Sequence, residues 1–137
     1  MTNVFADTAY WIALASPRDQ LFEQALKVSR SLEQLHIVTS EWVLVELLNS
    51  FAESGTRLRA ASVAMVQRIM ADRMVSIEPC DAKLFSAAFD LYADRADKGW
   101  SVTDCGSFLI MQRLGIEAAL TKDRHFGQAG FRALLRS

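Results

Sequence analysis

The sequence predicts an α/β fold in which a parallel sheet is covered by helices on both faces. Three observations carry this expectation. Short apolar runs suited to strands recur along the chain as NVFAD, HIVT, MVSIE and AALT. Longer segments of helical character separate them, and helices are the usual crossover between parallel strands. No repeat, linker or low-complexity segment divides the 137 residues, a length that suits one domain with a real core, so a single unit over 1–137 is expected.

Each element has a local reason. NVFAD, residues 3–7, is a brief apolar run closed by an acid and forms the first expected strand. In SPRD, Ser16 is placed to cap a helix, Pro17 suits its first position and Asp19 lies three residues after the cap, so a helix is expected from there toward Leu35. HIVT, 36–39, is the second strand. Ser40 caps the next helix, EWVLVELLNSFAES, which Gly55 ends, and a basic amphipathic helix follows from about Thr56 to Asp72. MVSIE, 74–78, is the third strand. Pro79 and Asp81 open the helix DAKLFSAAFDLYADRA, and beyond a turn at Lys98 and Gly99 another helix runs from Thr103 to Leu114, with Gly115 as its stop. AALT, 118–121, supplies strand four, and GFRALL, 130–135, a last strand.

Composition narrows the class. With 51% apolar and 23% charged residues and a net charge of −1, the chain has the profile of a globular protein, not of a disordered tail or a basic nucleic-acid arm. No apolar stretch is long enough to span a bilayer, and MTNVFADTAYW lacks the basic start and cleavage site of a signal peptide, so a cytoplasmic protein without a membrane partner is expected. Cys80 and Cys105 stand alone, without a CxxC knuckle or a disulfide framework, and read as small apolar residues rather than nucleophiles.

In open α/β sheets the ligand site lies beyond the carboxyl ends of the strands, which makes acids at those ends informative. Asp7 ends strand one, and Asp123 follows the close of strand four by two residues. Asp104 lies in the first turn of a largely apolar helix, and Glu46 interrupts VLVELL on a narrow polar stripe shared with Asn49, Ser50 and Glu53. Each has an ordinary explanation: a helix cap at Asp7, a dipole partner at Asp104, a turn at Asp123, a solvated position at Glu46. Their joint placement favours function, since only Lys122 and Arg124 flank the set in sequence. Clustered carboxylates repel one another unless a cation lies between them. Oxygen donors suit hard ions such as Mg²⁺ or Mn²⁺, and such sites perform phosphodiester hydrolysis well.

FADTAYW, the internal Glu46 of VLVELLNSF, and above all DKGWSVTDCGSFLIMQRLG followed by ALTKDRHF resemble the PIN-domain ribonucleases, including the VapC-type toxins of bacterial type II toxin-antitoxin pairs. The resemblance covers essentially the whole chain, and its most specific part is the pair TDCGSF and TKDRHF. It implies a PIN-like three-layer α/β/α sandwich with a central parallel sheet of four or five short strands, Mg²⁺ or Mn²⁺ dependence and endonucleolytic cleavage of RNA. Homodimers and inhibition by a small antitoxin are further implications. The family's acidic quartet falls on Asp7, Glu46, Asp104 and Asp123, with Asp7 and Asp104 as direct metal ligands and Asp123 direct or through water. Glu46 would orient water or bind a second ion.

Thr8 and Ser107 are candidates for hydrogen bonds that support the acids, although Ser107 equally suits close helix packing beside Gly106. His125 reads as a turn or packing residue and Phe126 as core. RNA affinity in a chain of this charge needs local cations, for which Lys122 and Arg124 beside the site and Arg57 and Arg59 further off are the candidates. The apolar side of Leu58 to Met70 defaults to the protein's own core, with a dimer or antitoxin groove as the alternative.

Rival functions fare less well. A haloacid-dehalogenase phosphatase needs DxDxT, where this chain has Ala9 and Trp11, and the adjacent acidic pair of receiver domains is reduced to Asp7 preceded by Ala6. A non-catalytic RNA- or protein-binding module of the same fold would have no need of four converging acids.

Overall fold

The computed structural model describes residues 2–31 and 35–136. Five strands, β1 (Asn3–Ala6), β2 (His36–Ser40), β3 (Val75–Glu78), β4 (Ala118–Leu120) and β5 (Arg132–Ala133), form one sheet in the order β3-β2-β1-β4-β5. All four pairings are parallel, with Val4 opposite Ile37 and Phe5 opposite Ala119. The central β1 is covered on both faces, which is why Val4, Phe5 and Ala6 carry no alternating polar residue and are all buried.

Among the described residues seven helices make the crossovers: α1 (Thr8–Ala15), α2 (Phe22–Ser31), α3 (Glu41–Ser50), α4 (Thr56–Ala71), α5 (Ala82–Asp94), α6 (Val102–Leu114) and the short α7 (Arg124–Gln128). Helix α1 packs against α2, α3 and α4, and α5 packs along α6, so helices flank the sheet in the expected α/β/α layering. Three predicted caps are made. Ser40 Oγ accepts from Val43 N–H, Asp81 Oδ1 accepts from Leu84 N–H, and Gly115 ends α6 in the left-handed conformation at φ +68. Among the described residues, no helix is long and apolar enough to cross a membrane.

The largest departure from expectation lies between Thr8 and Leu21. No helix starts at Pro17; instead TAYWIALA forms α1 immediately after the first strand, and 16–21 is a turn in which Asp19 Oδ1 accepts from Leu21 N–H at 2.8 Å. Helix α1 is enclosed by three other helices, so its sequence is apolar almost throughout and shows no amphipathic period. Residues 32–34 of the expected helix lie outside the described residues. Gly55 does not end α3, which stops at Ser50; it leads into α4 with φ +93. GFRALL contributes only Arg132–Ala133 to the sheet, and α7 occupies the turn after strand four.

Helix α4 buries Ser62, Met65 and Ile69 in the protein's own core while Val63 and Met70 stay exposed. Cys105 is fully buried, as is Phe126, and Cys80 is half-buried with its thiol pushed up by burial.

Candidate active site

The pairing of β1 with β4 puts the residues after both strands on one edge of the sheet. Asp7 stands at the N-cap position of α1, yet its side chain caps nothing there. Its Oδ2 instead accepts a hydrogen bond from Thr121 Oγ1 at 2.9 Å, across 114 residues of sequence. Asp7 is only 8% exposed. That burial pushes its carboxyl up to about 7, with the Asp104 and Glu46 charges adding to the effect and hydrogen bonds from the Thr8 N–H and the Thr121 hydroxyl opposing it.

The other acids arrive on separate elements. Glu46 projects from the middle of α3, where its Oε1 accepts from Thr8 Oγ1 at 2.7 Å. Asp104 forms a capping box with Ser101 at the start of α6: its N–H donates to Ser101 Oγ and its Oδ2 accepts from Ser101 N–H, both at 3.0 Å. Burial raises its carboxyl above the ordinary aspartate range, and the charge of Asp123 adds to this, while the Ser101 and His125 hydrogen bonds pull the other way. Asp123 caps α7, with Oδ1 accepting from His125 N–H at 2.9 Å and its own N–H donating to Thr121 Oγ1 at 3.0 Å.

These four carboxylates open onto one cleft of about 710 Å³, whose lining also includes Thr8, Ser101, Lys122, Arg124 and His125. The donor set fits a hard divalent cation. Among the described residues, Asp104, Asp123 and His125 each bring one ligand atom within 4.8 Å of the others, and Asp7 lines the same cleft outside that group.

A model of the PIN domain matches residues 4–132. The chain belongs to the PIN domain family. It is similar, at 30% identity over 131 residues covering 93% of this chain and 95% of the other, to the 23S rRNA-specific endonuclease VapC20 of Mycobacterium tuberculosis. The crystal structure of that VapC20, described as a sarcin-ricin loop cleaving toxin, superposes with a TM-score of 0.84 at 27% identity, covering 93% of this chain and 95% of that one. The structure of FitAcB from Neisseria gonorrhoeae shares the fold, with a TM-score of 0.62 at 17% identity over 95% and 94% of the two chains.

Within this PIN domain, most of the residues singled out from sequence come together, and three others join them. Asp7, Glu46, Asp104 and Asp123 share the cleft, Thr8 supports Glu46, and Lys122 and Arg124 stand at its side. Arg57 lines a separate cavity with Arg18, and Arg59 donates to the carbonyl of Ala52, so neither lines the cleft. Ser107, expected to support the acids, is buried and has no hydrogen-bond partner among the described residues. Its neighbour Gly106 meets the packing expectation, since a Cβ there would stand 2.5 Å from the Trp42 ring.

His125 corrects the packing reading given to it. Its Nδ1 lies 3.0 Å from Asp104 Oδ2 and 3.2 Å from Asp123 Oδ1, at the mouth of the acid cluster. Thr121 and Ser101 were not singled out at all. A spacing signal existed for each: Thr121 closes an apolar strand two residues before an acid, and Ser101 precedes Asp104 by the three residues of a capping box.

Proposed function

We propose that this protein is a single-domain PIN nuclease over 1–137, a divalent-metal-dependent endoribonuclease that hydrolyses RNA phosphodiester bonds and acts in the cytoplasm as the toxin of a toxin-antitoxin pair. The observation that carries this reading is the convergence of Asp7, Glu46, Asp104 and Asp123 on one cleft at the carboxyl ends of β1 and β4. The similarity to a protein named as a 23S rRNA-specific endonuclease supports RNA as the substrate.

Asp7, Asp104 and Asp123 would hold Mg²⁺ or Mn²⁺. When bound, such an ion offsets the mutual repulsion of the acids, activates water and stabilises charge developing on the phosphate. Glu46 has one oxygen fixed by Thr8 and a second with which to orient water toward the phosphorus. Thr121 holds Asp7 in a defined orientation, and Ser101 does the same for Asp104. Lys122 and Arg124 approach the substrate's phosphates from the side of the cleft.

Two protein partners complete the proposal. A small antitoxin would silence the nuclease, and a second copy of the chain would cover the exposed row of Phe85, Phe89 and Tyr92 on α5, each more than half exposed.

The decisive experiment is cleavage of mixed-sequence single-stranded RNA by wild type and by Asp7→Asn, with Mg²⁺ or Mn²⁺ and with chelator. Cleavage by wild type alone, abolished by chelator, is the expected result. Cleavage that survives Asp7→Asn or chelation would overturn the site, and no cleavage of any RNA would leave a binding-only domain.

A further inference from the structure

A second cavity of about 520 Å³ adjoins the acidic cleft and shares Lys122 and Arg124 with it. Its remaining lining is Gln20, Leu21, Gln24, Leu135 and Arg136. Three cations and two amides therefore surround a space whose lining, among the described residues, contains no acid. In a chain of net charge −1 such an enrichment is local, and it lies directly beside the four carboxylates. None of the ion pairs among the described residues uses Lys122, Arg124 or Arg136.

The C-terminal segment is fixed where it enters this cavity. Leu135 is buried, and its N–H donates to the Thr121 carbonyl at 3.0 Å, which ties the residue before Arg136 to the end of β4. Gln20 and Gln24 come from the turn before α2 and from its first turns. The cavity is thus assembled from three separated stretches of chain, converging on the cations that bracket Asp123.

We infer that this cavity is a second phosphate-binding subsite, taking a backbone phosphate of the RNA strand that flanks the one placed over the acids. The inference rests on the reading of the acidic cleft as a nuclease site. Continuity argues for a polymer rather than a free anion, because the two cavities meet at shared cations and a strand leaving one must cross Lys122 and Arg124 to enter the other. Guanidinium groups match phosphate oxygens in pairs, and the two glutamine amides can donate to phosphate or exchange hydrogen bonds with a 2′-hydroxyl. A cleft lined by acids repels a polyanion, so attraction must come from just beside it.

The test uses the full chain carrying Asp7→Asn, so that RNA is not consumed, and a fluorescently labelled mixed-sequence single-stranded RNA titrated at several salt concentrations. Arg136→Glu in that background should weaken binding several-fold and reduce the slope of log Kd against log salt by about 0.7, the value of one phosphate contact on a single strand. Gln24→Glu, which places an acid in the lining, should weaken binding as well, whereas Arg136→Lys should keep the slope. Thermal melting of each variant separates a binding loss from unfolding. If wild type cleaves RNA while both acidic variants bind as their parent does, the subsite is overturned and the nuclease reading stands. If wild type cleaves nothing but the slope shift appears, the nuclease reading falls and the cavity remains a nucleic-acid contact. If the parent binds no RNA the subsite is overturned, and the nuclease reading falls with it only where wild type also cleaves none.

Discussion

Thr121 Oγ1 donates to Asp7 Oδ2 at 2.9 Å and accepts from Asp123 N–H at 3.0 Å, so one buried hydroxyl joins the residues that follow β1 and β4. Its single proton goes to the carboxylate and its lone pair to the amide. Thr121→Val keeps the shape and removes both bonds. The loss should destabilise the fold by about 2–3 kcal/mol, because two buried or half-buried polar groups lose their partner, and RNA cleavage should fall with it. Thr121→Ser should restore most of both. If the valine variant melts and cleaves like wild type, the hydroxyl does not position Asp7.

The burial of Asp7 makes stability depend on pH in a definite direction. Its folded value of about 7 lies above the ordinary 3.8, so the folded state binds this proton more tightly than the unfolded state. The stabilisation is full below 3.8 and is lost as pH rises through about 7. In chelator, the Asp7 contribution should therefore make wild type less stable at about pH 8 than at about pH 5, by on the order of 3 kcal/mol. Asp7→Asn, which can still accept from Thr121, should remove that dependence and melt higher than wild type at the alkaline end. A wild-type melting temperature that rises between those two pH values, matched by the variant, would contradict the assignment.

Asp104→Asn separates catalysis from folding. The amide oxygen can still accept from Ser101 N–H, so the capping box survives, and the substitution removes a charge that is costly in its half-buried setting beside Asp123. Stability should be unchanged or improved, while cleavage falls by about 10²-fold or more, the scale on which removal of one electrostatic stabiliser is felt. Chemical denaturation alongside a cleavage assay reads both. Loss of activity that merely follows unfolding would remove Asp104 from the site.

The parallel sheet and the convergence of the acids were legible because both rest on local signals: apolar runs, caps, and acids placed directly after strands. The strand rule puts Asp7 and Asp123 on one edge provided that strands one and four are neighbours, as they are, and Asp104 is marked by its place at a helix start. What was not legible depends on long-range contact. Helix α1 packs against three helices and has no fully exposed residue, so it lacks the polar face by which an amphipathic helix is recognised. His125 joins the site because α7 turns its ring back over Asp104, 21 residues earlier in the chain, and nothing in TKDRHF specifies that direction. Ser107 shares a helix face with Asp104, but that spacing says nothing about whether the buried hydroxyl finds a partner.

Helix α5 carries the clearest surface mark of association. Phe85, Phe89 and Tyr92 recur at i, i+4 and i+7, so they form one stripe along the helix, and all three are more than half exposed. Phe85 and Phe89 stack on each other at 6.3 Å, and Phe85 meets the half-buried Trp42 edge-on, which joins the stripe to the core beneath it. The stripe's inner neighbours Leu84 and Ala88 already fill the core, so the aromatic row has no remaining place inside its own chain. A second copy presenting the same row would bury it symmetrically, as a two-fold interface requires. Phe89→Glu should therefore convert a dimer to a monomer in light scattering at micromolar concentration, with little change in the monomer's fold because the side chain is exposed. Wild type that is monomeric at every accessible concentration would remove the homodimer, and a Phe89→Glu protein that remains a dimer would place its interface elsewhere; either result leaves the aromatic row to the antitoxin.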